Sequence, residues 1–472
     1  MDAKIYPLTP NRATALTLLA DRVAVRERSA ALLAGLRRHG GPLALLACAC
    51  AIGQQITVTQ APLAIQTADT PSYLHVATGI ASRGLFFDQT RTPGYPALLA
   101  SVFTVAGHAN MGAVVAVQTA LVTLAALQLY GLALRLGGQP WLAGCTGAFM
   151  GMSVYFTNWE RVIGTEALAT WAVITLFGLF ARYLHTGARR WLVALAVWSV
   201  VVILIRPFFL YLPLLLLGML ALRAWQRGQF RAQMGQLALA GGIVAGLLLA
   251  YMGANAAVCG YFGLSDVGTV NMFGKVLEYQ MQDQTDDPRF AVLQSDLQGY
   301  LHGANEPWGF PYHYPAYAVQ HYRPLADYTQ AIIARHPLEY AQKTVPDVLL
   351  TLTASPTLYA ALAPTLPQWM TGVVQLASAP LAAYLLFPLL LGWVLWRWSR
   401  SRGSAVETLA ATLGLALAGT ILMAAAGAYT VLHGTQAVGD FYRLRAPLDW
   451  AFVLLLVYGW RRKRTPTADP TA

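Results

Sequence analysis

The chain is a succession of apolar runs close to 20 residues long, separated by short polar links and two long polar ones. A run of that length crosses the hydrocarbon of a bilayer as a helix, because lipid offers no partner to an unsatisfied backbone N–H or C=O. Ten such spans are predicted, over 42–60, 110–135, 139–157, 165–184, 190–205, 207–223, 234–257, 370–396, 406–431 and 442–460. Composition agrees, with 56% hydrophobic and 11% charged residues, where soluble domains carry about 25% charged residues. The expected fold is an all-α polytopic membrane protein.

Charge orients these spans. Residues 1–41 are polar and basic, with no short apolar core and no small-residue cleavage site, so the first run is expected to be a retained anchor. With the N-terminus in the cytoplasm, 21 of the 32 Lys and Arg fall on the cytoplasmic side, and 16 of the 21 acids fall on the other. That distribution obeys the positive-inside rule and accounts for the net charge of +11 without nucleic acid. The tail 461–472 opens with the basic run 461–464, which suits anionic lipid, and no stacking aromatics are interleaved with it as a nucleic-acid groove would need. The expected organisation is a basic cytoplasmic segment 1–41, a membrane module 42–257 with a first outer loop 61–109, a large outer loop 258–369, C-terminal spans within 370–460, and a cytoplasmic tail 461–472. Inner-membrane location with both termini cytoplasmic follows from this map.

Several chemistries leave no trace. There is no phosphate-binding GxxxxGK[ST], no dinucleotide GxGxxG, no HExxH and no CxxC. The four cysteines (Cys48, Cys50, Cys145 and Cys259) form no disulfide or zinc pattern and read as small core residues. His302, His313 and His321 are irregularly spaced and read as surface or hydrogen-bonded histidines; a metal requirement stays open. No acidic residue sits in the middle of a span, where a proton or ion path would need one. Chemistry therefore belongs on the outer face. Nucleotide-activated sugars are cytoplasmic, so a transferase there needs a donor that crosses in lipid-linked form.

The outer face carries a repeated pairing of acids and arginines. Asp69 follows the first span. An amphipathic stretch 71–86 then presents Tyr73, Val76, Ala77 and Ile80 opposite Ser72, His75 and Arg83, as a helix lying in the membrane interface does. Pro93 and Gly94 make a fixed corner carrying Arg91 and Tyr95, and Pro96 can start a second interfacial helix over 97–107. Glu160 and Glu166 lie at the outer boundary, and on sequence alone Glu166 reads more readily as an ordinary helix-start charge than as a functional acid. Arg206 interrupts an apolar run, either as a snorkelling turn residue or as a phosphate ligand. Arg443 and Arg445 enter the last span, and they share a side only if that segment is extended. Two carboxylates and several arginines at a water–lipid boundary suit glycosyl transfer from a polyprenyl phosphate. A carboxylate takes the acceptor's proton, and cations stabilise the lipid phosphate that leaves.

The run from Asp69 and Tyr73 through RTPGYPALLA at 91–100 resembles the first outer loop of the GT-C membrane glycosyltransferases. It is similar above all to the dolichyl-phosphate-mannose protein mannosyltransferase and lipid A aminoarabinose transferase group, the family 39-like enzymes. GTEALA at 164–169 resembles that group's acidic helix start, LIRPFF at 204–209 its Arg-Pro hairpin, and FYRLRAPLDW at 441–450 its entry to the final helix. The resemblance implies a GT-C-like bundle with two interfacial helices in the first loop and a polyprenyl-phosphate-sugar donor. It also implies Asp69 as catalytic base and Glu166 as second acid. Arg91, Arg206, Arg443 and Arg445 become candidate ligands of the donor phosphate, and Tyr73, Asp88, Tyr95 and Glu160 candidate substrate contacts. Membrane lipid and a glycan, lipid or protein acceptor are the implied partners, with no cofactor assigned beyond the sugar lipid. The chain departs from the pattern at Thr70, where the group often has a second acid, in its short tail after residue 464, and in the unmatched loop 258–369. The competing functions are a lipid-linked sugar flippase or transporter, for which two repeated halves are not seen, and a non-catalytic envelope assembly partner.

Overall fold

A computed structural model describes residues 12–60, 63–302, 309–317, 323–353, 383–428, 430–433, 436–439 and 441–460. The architecture is the polytopic helical one expected. The first half runs through α1 (Arg12–Gln60), α2 (Thr70–Arg83), α3 (Gly94–Ala106), α4 (Met111–Arg135), α5 (Pro140–Met152), α6 (Val154–Thr157), α7 (Glu166–Thr186), α8 (Arg189–Ile205), α9 (Tyr211–Gln226) and α10 (Phe230–Cys259). Among the described residues, six helical segments are long and apolar enough to cross a membrane: Arg37–Thr59, Met111–Arg135, Glu166–Thr186, Pro207–Gln226, Phe230–Cys259 and Ala405–Gly427. Other expected spans are carried by shorter helices. The run 139–157 breaks at Ser153 between α5 and α6, and residues 370–382 of the eighth span lie outside the described residues.

Small residues set how closely these helices approach. On α1 and α5, Gly53 and Gly151 face each other so tightly that a Cβ on Gly53 would collide with the Gly151 carbonyl. Lipid gives helices no hydrophobic reason to associate, so such close backbone contact is what holds membrane helices together. α7 packs between α4 and α8 and is largely buried, whereas α10 lies at the periphery against α8 and α9.

The second half holds a separate helical module, in the stretch expected on the outer side. α11 (Val267–Glu278), α12 (Ala291–Leu301), α13 (Phe310–His313), α14 (Arg323–Arg335) and α15 (Pro337–Thr353) enclose a core of Phe273, Phe290, Phe310, Leu325, Tyr328 and Ile332, distinct from the core of the bundle. Lys275 is fully buried there, 2.6 Å from Asp347 and 3.2 Å from Glu278. The Tyr340 hydroxyl donates to the Ala426 carbonyl and ties this module to the bundle. The chain returns through α16 (Phe387–Ser399) and α17 (Ala405–Gly427). An antiparallel hairpin follows, of β1 (Thr430–His433) and β2 (Gln436–Gly439), paired Thr430 with Gly439 through His433 with Gln436. It ends in α18 (Phe441–Arg445), a 3-10 turn at Ala446–Leu448 and α19 (Trp450–Gly459). The expected last span 442–460 is thus broken at Pro447, and only its second part is a continuous helix.

Candidate active site

The two loops expected on the outer side are stitched together at one end of the bundle. The Ser265 hydroxyl donates to the Thr90 carbonyl at 2.5 Å, and the Asp266 N–H donates to the Gln89 carbonyl at 3.1 Å. At the same end, Ile65 pairs with Val162 in a parallel bridge, so the segment entering Asp69 runs beside the link between α6 and α7. The Thr70 hydroxyl donates to the Ile163 carbonyl and locks the two together. Gln118, buried on α4, donates to the carbonyls of Glu160 at 3.0 Å and Val162 at 2.9 Å and fixes the link from below. Two helix starts, α2 with Asp69 and α7 with Glu166, are therefore held side by side.

Asp69 occupies the residue before α2, where an aspartate ordinarily caps the helix. Here it makes no side-chain cap bond. One carboxylate oxygen instead meets Arg91 Nη2 at 2.6 Å and the other meets Arg443 Nη1 at 2.6 Å. Arg443 Nε donates to Glu166 Oε1 at 2.5 Å, and Arg206 Nη2 reaches the same oxygen at 3.5 Å. Three guanidiniums and two carboxylates thus form one continuous network. Arg91 is fixed by the Ser72 hydroxyl at 2.8 Å, by the Tyr73 hydroxyl at 3.3 Å, and by lying over the Tyr73 ring at 4.4 Å. Burial pushes the Asp69 carboxyl up, but Arg443 and Arg91 overcome it and hold the group down at about 2. The two acids differ in reach: the Asp69 side chain is 31% exposed and that of Glu166 only 1%. Asp69 can meet a substrate; Glu166 positions Arg443 and Arg206. Gly164 is required beside it, because a Cβ there would lie 2.5 Å from Glu166 Oε2.

The corner between α2 and α3 works as its sequence suggests. Asp88 accepts the backbone N–H of Thr90 at 2.8 Å and of Arg91 at 2.7 Å, so it shapes the turn that presents Arg91. Burial, with the Asp88 carboxylate next, pushes Asp266 up to about 7. Gly94 lies against the end of α8, where a Cβ would be 2.6 Å from the Leu204 carbonyl oxygen. That approach brings the first loop onto Arg206.

Four expected site residues are placed elsewhere. Arg445 is buried and pairs with Asp449 at 2.9 Å, donates to the Thr351 carbonyl, and lies over the Tyr384 ring at 4.3 Å. It is removed from the donor-phosphate set because residues 441–445 are helical, and positions two apart on a helix point to different sides. Tyr95 is fully buried, edge-on to Tyr73, with its hydroxyl donating to Gln118 at 2.9 Å, so it supports the site from beneath instead of touching a substrate. Glu160 is buried with Thr119 donating to it at 3.1 Å, and burial pushes its carboxyl up to about 8. Asp88 is spent on backbone amides. In this structure all four are engaged by other groups of the chain. In the sequence alone, Ser72 is named only as part of the polar face and Thr70 only as a departure from the family pattern, and Gln118 is passed over; a polar Gln inside the apolar run 110–135 is the signal that marks it. His321 lies outside the described residues, and no cluster of three or more metal-ligating side chains occurs among the described ones.

Fold and site together define a multi-pass helical membrane protein with a charged network at one end of its bundle. No protein-family model matches the chain, and no curated protein sequence matches it significantly. Among solved structures it is similar to the archaeal oligosaccharyltransferase AglB from Archaeoglobus fulgidus, in complex with an inhibitory peptide and a dolichol-phosphate (TM-score 0.45, 11% identity, 88% of this chain and 50% of that one). The chain therefore spans about half the length of that protein. It is also similar to ArnT from Cupriavidus metallidurans bound to undecaprenyl phosphate (TM-score 0.36, 13% identity, 81% of this chain and 76% of that one). The apo state of ArnT gives the same TM-score of 0.36.

Proposed function

We propose that this chain is a membrane glycosyltransferase that moves a sugar from a polyprenyl-phosphate donor to an acceptor hydroxyl at the outer face. The observation that carries this reading is the network in which Arg91 and Arg443 hold Asp69 while Arg443 and Arg206 converge on Glu166. Three guanidiniums converge there beside an accessible carboxylate. Converging guanidinium forks suit a lipid phosphate better than an uncharged substrate. The sequence resemblance to GT-C enzymes adds independent support.

In the reaction, the acceptor hydroxyl oxygen attacks the sugar C1 as its proton passes to the Asp69 carboxylate. The bond from C1 to the phosphate oxygen breaks, and the lipid phosphate leaves with the electron pair. Arg443, Arg206 and Arg91 offset the charge that grows on it. Glu166 keeps two of these cations aligned, and ordering both substrates removes part of the barrier. The excess of Lys and Arg on one side supports a cytoplasmic position for both termini and an outward-facing site in the inner membrane. The module built on residues 267–353 stands over the same end and is the natural place for the acceptor.

The test is Asp69→Asn in the full chain, assayed with a labelled polyprenyl-phosphate sugar. Transfer is expected to fall by at least about 100-fold, with membrane insertion and thermal unfolding close to wild type. Normal turnover by this variant would end the proposal.

A further inference from the structure

At the opposite end of the bundle lies a polar cavity that the transfer reaction does not use. α7 begins with Glu166 at the candidate site and ends at Thr186, so about 30 Å of helix separates the two places. The cavity has a volume of about 450 Å³ and is lined by Tyr183, His185, Arg223, Arg227, Gln233 and Gln236, among others. Among the described residues no carboxylate is part of its lining. Two arginines side by side at such a mouth, Arg223 half-buried and Arg227 exposed, repel one another and give an anion two guanidinium forks to bind.

Arg223 is held in place. Its Nη2 donates to the Leu184 carbonyl at 2.9 Å and its Nε donates to the Gly403 carbonyl at 3.0 Å. Those bonds use carbonyls at the ends of α7 and of the α16–α17 link, whose negative character would otherwise repel an anion. Arg227 packs its stem on Gly403, which has φ of 77° and where a Cβ would lie 2.9 Å from Arg227 Cγ. α10 starts at Phe230 on the rim, with Gln229 and Gln233 lining the cavity, and brings the positive end of a 30-residue helix to it.

We propose that this cavity binds a phosphate group, held by Arg223 and Arg227. The rim argues for a phosphate carried by a lipid. At the same helix ends Trp225 is 71% exposed and Phe230 38% exposed, and Leu222 and Met234 are exposed as well. Aromatic side chains at a helix end mark the headgroup level of a membrane, and basic pockets between helix ends at that level take anionic headgroups. The ligand class is an anionic phospholipid of the leaflet opposite the candidate active site, and a free phosphate shares the same chemistry.

Native mass spectrometry of the purified full chain, titrated with phosphatidylglycerol or phosphatidylcholine, tests this. Wild type is expected to retain one phosphatidylglycerol in preference to phosphatidylcholine, and Arg227→Gln to lose about tenfold of that preference. Arg227 is exposed and makes no bond to Leu184 or Gly403, so this variant should unfold at the wild-type temperature in phosphatidylcholine and keep its sugar-transfer rate. Arg223→Lys gives a second reading that retains charge but loses the fork. In a parallel arm, stabilisation of wild type but not of Arg227→Gln by millimolar inorganic phosphate, without lipid retention, supports the site and assigns a free phosphate to it. Equal lipid retention by wild type and both variants, with no stabilisation by inorganic phosphate, overturns the proposal.

Discussion

Removing Arg443 tests the charge network most directly, because this one side chain bridges both carboxylates. Arg443→Gln deletes a 2.6 Å contact to Asp69 and a 2.5 Å contact to Glu166. Asp69 keeps Arg91, but Glu166, almost wholly buried, is left with Arg206 at 3.5 Å. Leaving a buried carboxylate short of its partner costs about 3–5 kcal/mol, so thermal unfolding should move down by several degrees. Donor turnover should suffer more, since losing one charge-stabilising donor typically costs 100- to 1000-fold. The pH profile supplies the diagnostic. In wild type Asp69 stays ionised down to about pH 2 because Arg443 and Arg91 outweigh burial. A depressed carboxyl contributes stability that is present above its unfolded value near 3.8 and is lost as pH falls through about 2. That contribution is about 2 kcal/mol from the shift, and about 1 kcal/mol once the exposure of Asp69 is discounted. Without Arg443, burial gains weight and the Asp69 value rises, so the acid limb of kcat/KM must appear at higher pH than in wild type. Arg443→Lys keeps the charge but cannot bridge both oxygens and should fall between the two. A glutamine variant whose kcat/KM stays within about threefold, with an unmoved acid limb, refutes the reasoning.

Other outcomes follow from residues around the site. Glu160, raised to about 8 by burial, binds a proton in the folded chain that the unfolded chain releases near 4.5, so the wild type loses stability as pH rises between those values. Glu160→Gln should therefore raise the unfolding temperature at pH 8 far more than at pH 5, a difference on the order of 3–5 kcal/mol, read by thermal scans at the two pH values. Arg445→Lys should lower the unfolding temperature while leaving the KM for donor unchanged, because its partner Asp449 is buried and the pair lies apart from the network. Gly94→Ala should destabilise by about 1–3 kcal/mol and reduce transfer, since its Cβ meets the Leu204 carbonyl at 2.6 Å and pushes the first loop off α8; scanning calorimetry with the transfer assay reads both.

Much of the site's composition could be read in the sequence, because topology does the sorting. Asp69, Arg91, Glu166, Arg206 and Arg443 lie far apart in the chain, yet each follows or precedes an apolar run, and counting runs puts them on one side. What could not be read was which of two neighbouring arginines turns inward. The choice between Arg443 and Arg445 depends on whether residues 441–445 are helical or extended, and Pro447 breaking the final run decides it locally. Tyr95 and Glu160 carry polar tips that suggest substrate contact, but depth is a tertiary property: Gln118 and Thr119, on a helix 20 or more residues away, draw them inward. The outer module showed as an aromatic-rich stretch, while its core depends on Phe273, Phe310 and Tyr328 meeting from three separate helices.

The bond between Glu166 and Arg443 joins residues 277 positions apart. A ribosome adds about 5–20 residues each second, so on the order of tens of seconds pass between the emergence of the acid and that of its cation. Through that interval the first half of the bundle is already in the bilayer, with Arg206 the sole partner for Glu166 among the residues that pair with it in the finished protein. The site is closed by a segment made long after its first half. A product truncated before Arg443 would keep Asp69 with Arg91 and Glu166 with Arg206 but lack the cation that joins the two pairs, so insertion of the first half and assembly of the joined network are separate events.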